Sequence, residues 1–260
     1  MIRANVTKNK LQSGALVLGL SIRLIRTPDA AKIAQATDHD FLFIDMEHSS
    51  LSFESVVDMS VAALDTGITP IVRVIGHDHW QVSRVLDCGA MGVVVPHVDT
   101  VAQAKAAVDA CLFPPLGRRS MSGGYPQLDY AAMKPADAAA ALNEQVLLAV
   151  MLETPEAIAN ADAIAAVPGV DVLHVGTNDL LAEMDLHGQF EHPRVIEAFA
   201  TVNAACQRHG KVAGLGGVRD LQLGQKYLQM GFRFMTTNAD LAFLLAGASE
   251  RTRALRLLTV

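Results

Sequence analysis

The chain has 260 residues, 51% of them hydrophobic, and a formal net charge of −6 with the two signs interspersed. That is enough apolar material for one large core, and with no basic stripe nucleic acid is argued against as a partner. Three scattered cysteines, Cys88, Cys111 and Cys206, suit neither a disulfide framework nor a zinc cluster and point to a reducing compartment.

At the N-terminus Arg3, Lys8 and Lys10 precede the apolar stretch LQSGALVLGLSI, in the manner of a signal peptide, but Arg23 and Arg26 follow where a small-residue cleavage site would be needed. No uncharged apolar run reaches the roughly 18 residues of a membrane span. A soluble, cytoplasmic protein with no membrane partner is therefore expected. From there apolar runs alternate with Ala-rich stretches of helical spacing. ALVLGLS (15–21) leads to a helix opening at Pro28, and FLFIDM (41–46) to a helix from Phe53 to Thr66. PIVRV (70–74) leads to DHWQVSRVLDCG, and GVVVPHV (92–98) to TVAQAKAAVDACL. An excursion over 113–143 opens with FPPLGRRSMSGGYPQ. Then VLLAVMLE (146–153) leads to TPEAIANADAIAAV, VDVLHVG (170–176) to a long segment ending near Gly210, KVAGLGG (211–217) to RDLQLGQKYLQMG, and FRFMTTN (232–238) to the last helix.

Eight strand–helix units follow one another. Continuous apolar strands indicate a parallel sheet covered on both faces, which a doubly wound sheet or a closed barrel would satisfy. Eight units in this length, without a composition break, favour a single-domain (β/α)₈ TIM barrel over residues 1–260. The final helix, about 239–258, is apolar on much of its circumference, whereas a peripheral barrel helix keeps a polar face. It is a candidate either to pack on a neighbouring subunit or to close its own barrel.

Chemistry in such barrels sits at the C-terminal ends of the strands. Asp45, Glu47 and His48 end the second strand, Arg73 the third, His97 the fourth and Glu153 the fifth, while Asn178 and Asp179 follow Gly176 after the sixth. Glu153 and Asp179, on neighbouring strands, offer hard oxygen donors suited to Mg²⁺ or Mn²⁺, or else they cap the helices that follow them. His48 has the ordinary pKa of a general base, with Asp45 three residues earlier to fix its tautomer; the alternative is a structural histidine. Arg73 interrupts an apolar strand, so it either stabilises charge on a substrate oxygen or pairs with an acid, Glu47 being a candidate. The loop GRRSMSGG (117–124) is a candidate cradle for a carboxylate or phosphate, or a lid. GLGG (214–217) is too short for a dinucleotide fingerprint. Trp80 reads as packing.

FLFIDMEHS, IVRV, VLDCGAMGVVVPHV, MLETPEAIANADAIAAVPGVDVLHVGTNDL and YLQMGFRF together resemble the HpcH/HpaI aldolases over nearly the whole chain. The resemblance implies a metal-dependent pyruvate aldolase of the phosphoenolpyruvate/pyruvate superfamily: a carbon–carbon lyase that joins pyruvate, or a related 2-oxoacid such as hydroxypyruvate, to an aldehyde through a metal-stabilised enolate. It implies His48 as catalytic base, Arg73 as the transition-state arginine, Asp45 as the acid of the DxEH motif, and Asp87 as an acid raising the basicity of that histidine. Glu153 and Asp179 fall on the ligands of a divalent metal, Mg²⁺ or Mn²⁺ with Co²⁺ also admissible. Gly176, Thr177 and Asn178 fall on the loop that contacts the oxoacid, and Met151 stands where many members carry a substrate-contacting Gln. The usual GPAD loop is GTND here. A homo-oligomer, specifically a hexamer with the final helix packed on a neighbour, is implied as well. Two other readings stand beside this one: a citrate-lyase-type enzyme acting on CoA thioesters, and a non-catalytic 2-oxoacid-binding barrel.

Overall fold

In the computed structural model, which describes residues 2–258, the eight apolar runs form one closed parallel barrel. Its strands are β1 (Val17–Ile22), β2 (Phe41–Asp45), β3 (Thr69–Arg73), β4 (Gly92–Val95), β5 (Leu147–Leu152), β6 (Val172–Gly176), β7 (Val212–Gly216) and β8 (Phe234–Ala239). Each pairs with its successor, and β8 closes on β1. That closure excludes the doubly wound alternative.

The two-residue period of the strands divides the apolar side chains between two cores. Phe41, Phe43, Ile71, Val94, Ala149 and Phe234 belong to the barrel interior, with Phe41 stacked on Phe234 at 4.5 Å between ring centroids. Leu42, Ile44, Val72, Val93 and Val95 pack with the surrounding helices. The same period carries the interior positions into polar residues toward the C-terminal ends: Asp45 after Phe43, Arg73 after Ile71 and Glu153 after Met151. Asp45 and Arg73 are register partners on β2 and β3.

The N-terminal stretch is structural. Helix α1 (Val6–Gln12) precedes β1, Leu11 joins the interior core, and the Asn5 side-chain amide donates to the carbonyls of Met91 and Gln145. Around the barrel run α2 (Asp29–Ala36), α3 (Phe53–Thr66), α4 (His79–Asp87) and α5 (Val101–Cys111). Helix α3 has the bounds read from the sequence, because Ser52 caps its N-terminus and Gly67, at φ 76°, ends it in the left-handed conformation. The 113–143 excursion carries its own small core of Phe113, Tyr125, Leu128 and Leu142 and leads into α6 (Pro135–Gln145). TPEAIANADAIAAV is two helices, α7 (Pro155–Ala159) and α8 (Ala161–Ala165), divided at Asn160, whose amide donates to the Asp99 carbonyl at 2.7 Å. The segment after β6 likewise divides into α9 (Thr177–Glu183) and α10 (Pro193–His209).

After α11 (Leu221–Met230), the chain ends in α12 (Asp240–Arg256). Within one copy the apolar side of α12 is uncovered: Leu241, Phe243, Leu244 and Leu245 are all exposed, and only Asp240 is buried. Trp80, read as packing, is also exposed. Among the described residues no helix is long and apolar enough to cross a membrane.

Candidate active site

Asp45 is the centre of the rim. It is fully buried, and its carboxylate accepts from Arg73 Nε at 2.9 Å, Arg73 Nη2 at 2.7 Å and Arg23 Nε at 2.7 Å. Oδ1 also accepts from the backbone amides of Glu47 at 3.2 Å and His48 at 3.1 Å. Burial alone would raise this carboxyl. The hydrogen bonds and charge of Arg73, the His48 amide and the charge of Arg23 outweigh it and hold the group below the usual carboxylate range. The expectation that Asp45 orients the His48 ring is corrected by this geometry: it holds the backbone of His48. The ring is half exposed, with Glu47 Oε2 3.8 Å from Nε2.

Arg73 is buried and spans both acids. Its Nη1 lies 3.0 Å from Glu47 Oε2, at an angle that makes the contact a meeting of opposite charges rather than a hydrogen bond. The same guanidinium sits over the Phe43 ring at 5.5 Å and lines the cavity. The ion pair read for Arg73 is present, and the paired guanidinium still lines the cavity. Glu47 is a partner as read, but Asp45 is the bidentate one.

Glu153 is buried just past β5. Its Oε2 accepts the His97 amide at 2.8 Å and lies 3.2 Å from His97 Nδ1. His97, at φ 52°, turns its Nε2 to Glu47 Oε1 at 3.2 Å, so one imidazole bridges two carboxylates. Burial, with the charges of Asp179 and Glu47 added, pushes the Glu153 carboxyl up to about 7 against the relief given by His97. Asp179 lies in the first turn of α9, one step beyond the strand end, and lines the cavity. A Cβ on Gly176 would stand 2.5 Å from Glu153 Oε1, so the glycine makes room for that side chain. Thr177 is buried with an unpartnered hydroxyl, Asn178 lines the cavity, and buried Met151 has its sulfur 3.9 Å from Arg73 Nη1. Among the described residues no group of three or more His, Cys, Asp or Glu is arranged to hold a metal ion. Glu153 and Asp179 are a two-carboxylate pair of hard oxygens with crowded negative charge, a donor set that fits Mg²⁺ or Mn²⁺ completed by water and a chelating ligand.

Asp87 is elsewhere. It ends α4 and pairs with Arg119 at 2.6 Å, and within one copy no hydrogen bond or ion pair among the described residues joins it to His48. Arg119 is itself buried and stacked on Phe113 at 4.4 Å, which makes it a structural residue of the excursion rather than part of an anion cradle.

Among the cavity residues that were not singled out from sequence are Arg23, Arg219 and His174. His174 is buried on β6 with Nδ1 unpartnered, and burial, helped by the Arg73 charge, lowers its pKa to about 3, so the ring is neutral. A Cβ on Gly214 would meet its Nδ1 at 2.9 Å and one on Gly216 its Nε2 at 3.1 Å. Gly214 and Gly216 are thus the space in which this imidazole stands, and a histidine within VLHVG opposite a G-x-G strand was the available signal.

A closed βα barrel with acids, imidazoles and guanidinium groups gathered at its C-terminal rim is the architecture of a barrel enzyme. The family model for HpcH/HpaI aldolase/citrate lyase matches residues 24–246, and the chain belongs to that family. It is 43% identical over 255 residues to the 4-hydroxy-4-methyl-2-oxoglutarate aldolase tasA of Hapsidospora irregularis, covering 95% of this chain and 93% of that protein. It is 40% identical to the 4-hydroxy-4-methyl-2-oxoglutarate aldolase cghB of Chaetomium globosum, over 84% of this chain and 82% of that one. The crystal structure of an HpcH/HpaI aldolase from Desulfitobacterium hafniense DCB-2 superposes with a TM-score of 0.91 at 28% identity, over 97% of both chains.

Proposed function

We propose that the protein catalyses reversible aldol addition between the C3 carbon of pyruvate, or of a related 2-oxoacid such as hydroxypyruvate, and a carbonyl acceptor. The observation that carries this reading is the crowding of Glu153 with Asp179 and Glu47 beside a cavity that Asp179, Arg73 and His48 line. Glu153 and Asp179 would hold a divalent ion, Mg²⁺, Mn²⁺ or Co²⁺, which when bound supplies Lewis-acid polarisation of a chelated oxoacid. His48 takes a proton from C3. The electron pair left there forms the new carbon–carbon bond at the acceptor carbonyl, and the protonated imidazole returns its proton to the acceptor oxygen. Arg73, held by Asp45 so that it cannot turn away, stabilises the negative charge that develops on the oxoacid oxygen. Gly176, Thr177 and Asn178 flank the oxoacid, and Met151 packs beside Arg73.

The half-reaction is measurable without knowing the acceptor. In D₂O the methyl proton signal of pyruvate is expected to disappear in the presence of enzyme with Mg²⁺ or Mn²⁺ and to persist in excess chelator. Exchange unaffected by chelator would defeat the metal role, and no exchange with any of the three ions would defeat the aldolase reading.

The uncovered apolar side of α12 supports a homo-oligomer, a hexamer in the form the family resemblance suggests. Sedimentation equilibrium is expected to return a multiple of the 27.7 kDa chain mass. Paired Phe243→Glu and Leu244→Glu substitutions are expected to shift it toward the monomer. A wild-type monomer would sink this part of the proposal.

A further inference from the structure

We propose that the acceptor is itself anionic: a small carbonyl compound whose carboxylate is bound by Arg23, with Arg219 lining the same cavity as a second cation. This rests on the aldolase reading above. Arg23 follows β1, and its guanidinium is anchored through Nε alone on buried Asp45 at 2.7 Å. Neither terminal nitrogen has a hydrogen-bond partner among the described residues, and the side chain is 40% exposed at the cavity it lines. A guanidinium fixed at Nε presents its two remaining amino groups with little freedom, and their planar fork suits a carboxylate.

The local charge runs the same way. Asp45 is shared by Arg23 and Arg73, so it cannot neutralise both. Arg219, after β7, lines the cavity and has no acidic partner among the described residues. Of the side chains lining the cavity, the one acid is Asp179, which stands on the β6 side as half of the pair with Glu153. Along the arc from β7 through β8 to β1, the side chains that line the cavity therefore include two cations and no carboxylate, because Asp220 and Asp240 beside it are taken up by backbone N–H groups. His174, on β6, also lines the cavity: a buried, neutral imidazole with Nδ1 unpartnered, it can share a hydrogen bond with an acceptor oxygen without adding charge. The cavity, at about 240 Å³, lies below the roughly 300–1,000 Å³ of sites for drug-sized ligands, which restricts the acceptor to a small molecule.

The experiment compares two acceptors of similar size, glyoxylate and acetaldehyde, with pyruvate as donor and Mg²⁺ or Mn²⁺ present. The readout is the ratio of kcat/KM for glyoxylate to that for acetaldehyde, in which the intrinsic reactivity of the aldehydes and any shared change in turnover cancel between variants. Arg23→Met and, at an exposed position that makes no hydrogen bond, Arg219→Met are each expected to lower this ratio at least tenfold. Arg23→Lys, which restores charge without the fork, is expected to recover part of the loss. A ratio within twofold of wild type in either methionine variant overturns the proposal. Pyruvate exchange in D₂O by the wild type separates this failure from the larger one. Exchange present with an unmoved ratio removes the anionic acceptor alone, and exchange absent removes the aldolase reading and this inference with it.

Discussion

Replacing Glu153 by Gln is expected to lower metal-dependent pyruvate exchange by roughly 10²–10³-fold and, at the same time, to make the metal-free protein more stable at pH 8. The two effects have one cause. The Glu153 carboxyl is raised from 4.5 to about 7, first by burial and then by Asp179 and Glu47. Below pH 4.5 it is protonated in both folded and unfolded chains and makes no difference. Between 4.5 and 7 the folded protein retains a proton that the unfolded chain has released, so stability falls as pH rises, and above 7 the full penalty remains. At about 1.4 kcal/mol per pKa unit the penalty is about 3 kcal/mol. The substituted amide never ionises and still offers an oxygen to the His97 backbone N–H. Urea denaturation in chelator should therefore favour the variant at pH 8, with the difference closing as pH falls toward 4.5. Added Mg²⁺ or Mn²⁺ should stabilise wild type and not the variant. A variant less stable than wild type at pH 8 would mean that the Glu153 charge is already compensated by the protein.

The second large effect is at Arg73. Arg73→Met removes two of the three guanidinium hydrogen bonds to a fully buried carboxylate and leaves Glu47 Oε2 without its cation. Breaking one side of a buried ion pair typically costs about 3–5 kcal/mol, and that loss is expected near pH 7. Its pH dependence has the opposite sign to that of Glu153. Asp45 is held low by Arg73, so its contribution is present above the ordinary carboxylate value and is lost as pH falls through the folded value. The gap between variant and wild type should thus narrow in acid. Equal denaturation midpoints at pH 7 would show that Arg23 and the two backbone amides satisfy Asp45 unaided. Pyruvate exchange is expected to fall at least about a hundredfold.

Much of this architecture was legible before any coordinates. Apolar runs bounded by turn residues located all eight strands, and Ser52 with Gly67 set the ends of α3 because capping is a local property of the chain. The rim was legible for the same reason, since the residue after a buried strand is known once the strand is. Pairings across the barrel were not. Sequence proximity suggests Asp45 for the ring three residues away and Glu47 for Arg73, and the second pairing forms, yet strand register also joins Asp45 to Arg73 across 28 residues. Asp87 was attached to His48 by resemblance, whereas the fold of one copy turns it to Arg119. Arg23 entered the sequence reading only as an argument against a cleavage site. His174 was hidden inside a continuous apolar run, because periodicity reports that a strand is buried and not which of its side chains meets a cavity.

Asp240, the first residue of α12, accepts from the backbone amides of Arg23 at 3.1 Å, Leu24 at 2.9 Å and Ile25 at 2.7 Å. Clipping the C-terminus to dissolve an assembly would therefore strip three N–H groups of their acceptor and unmoor the turn that carries Arg23. A shortened protein that changed its choice of reactant would not, on that ground alone, have revealed communication between neighbours. Point changes farther along the helix, which leave position 240 intact, are the way to keep the two questions apart.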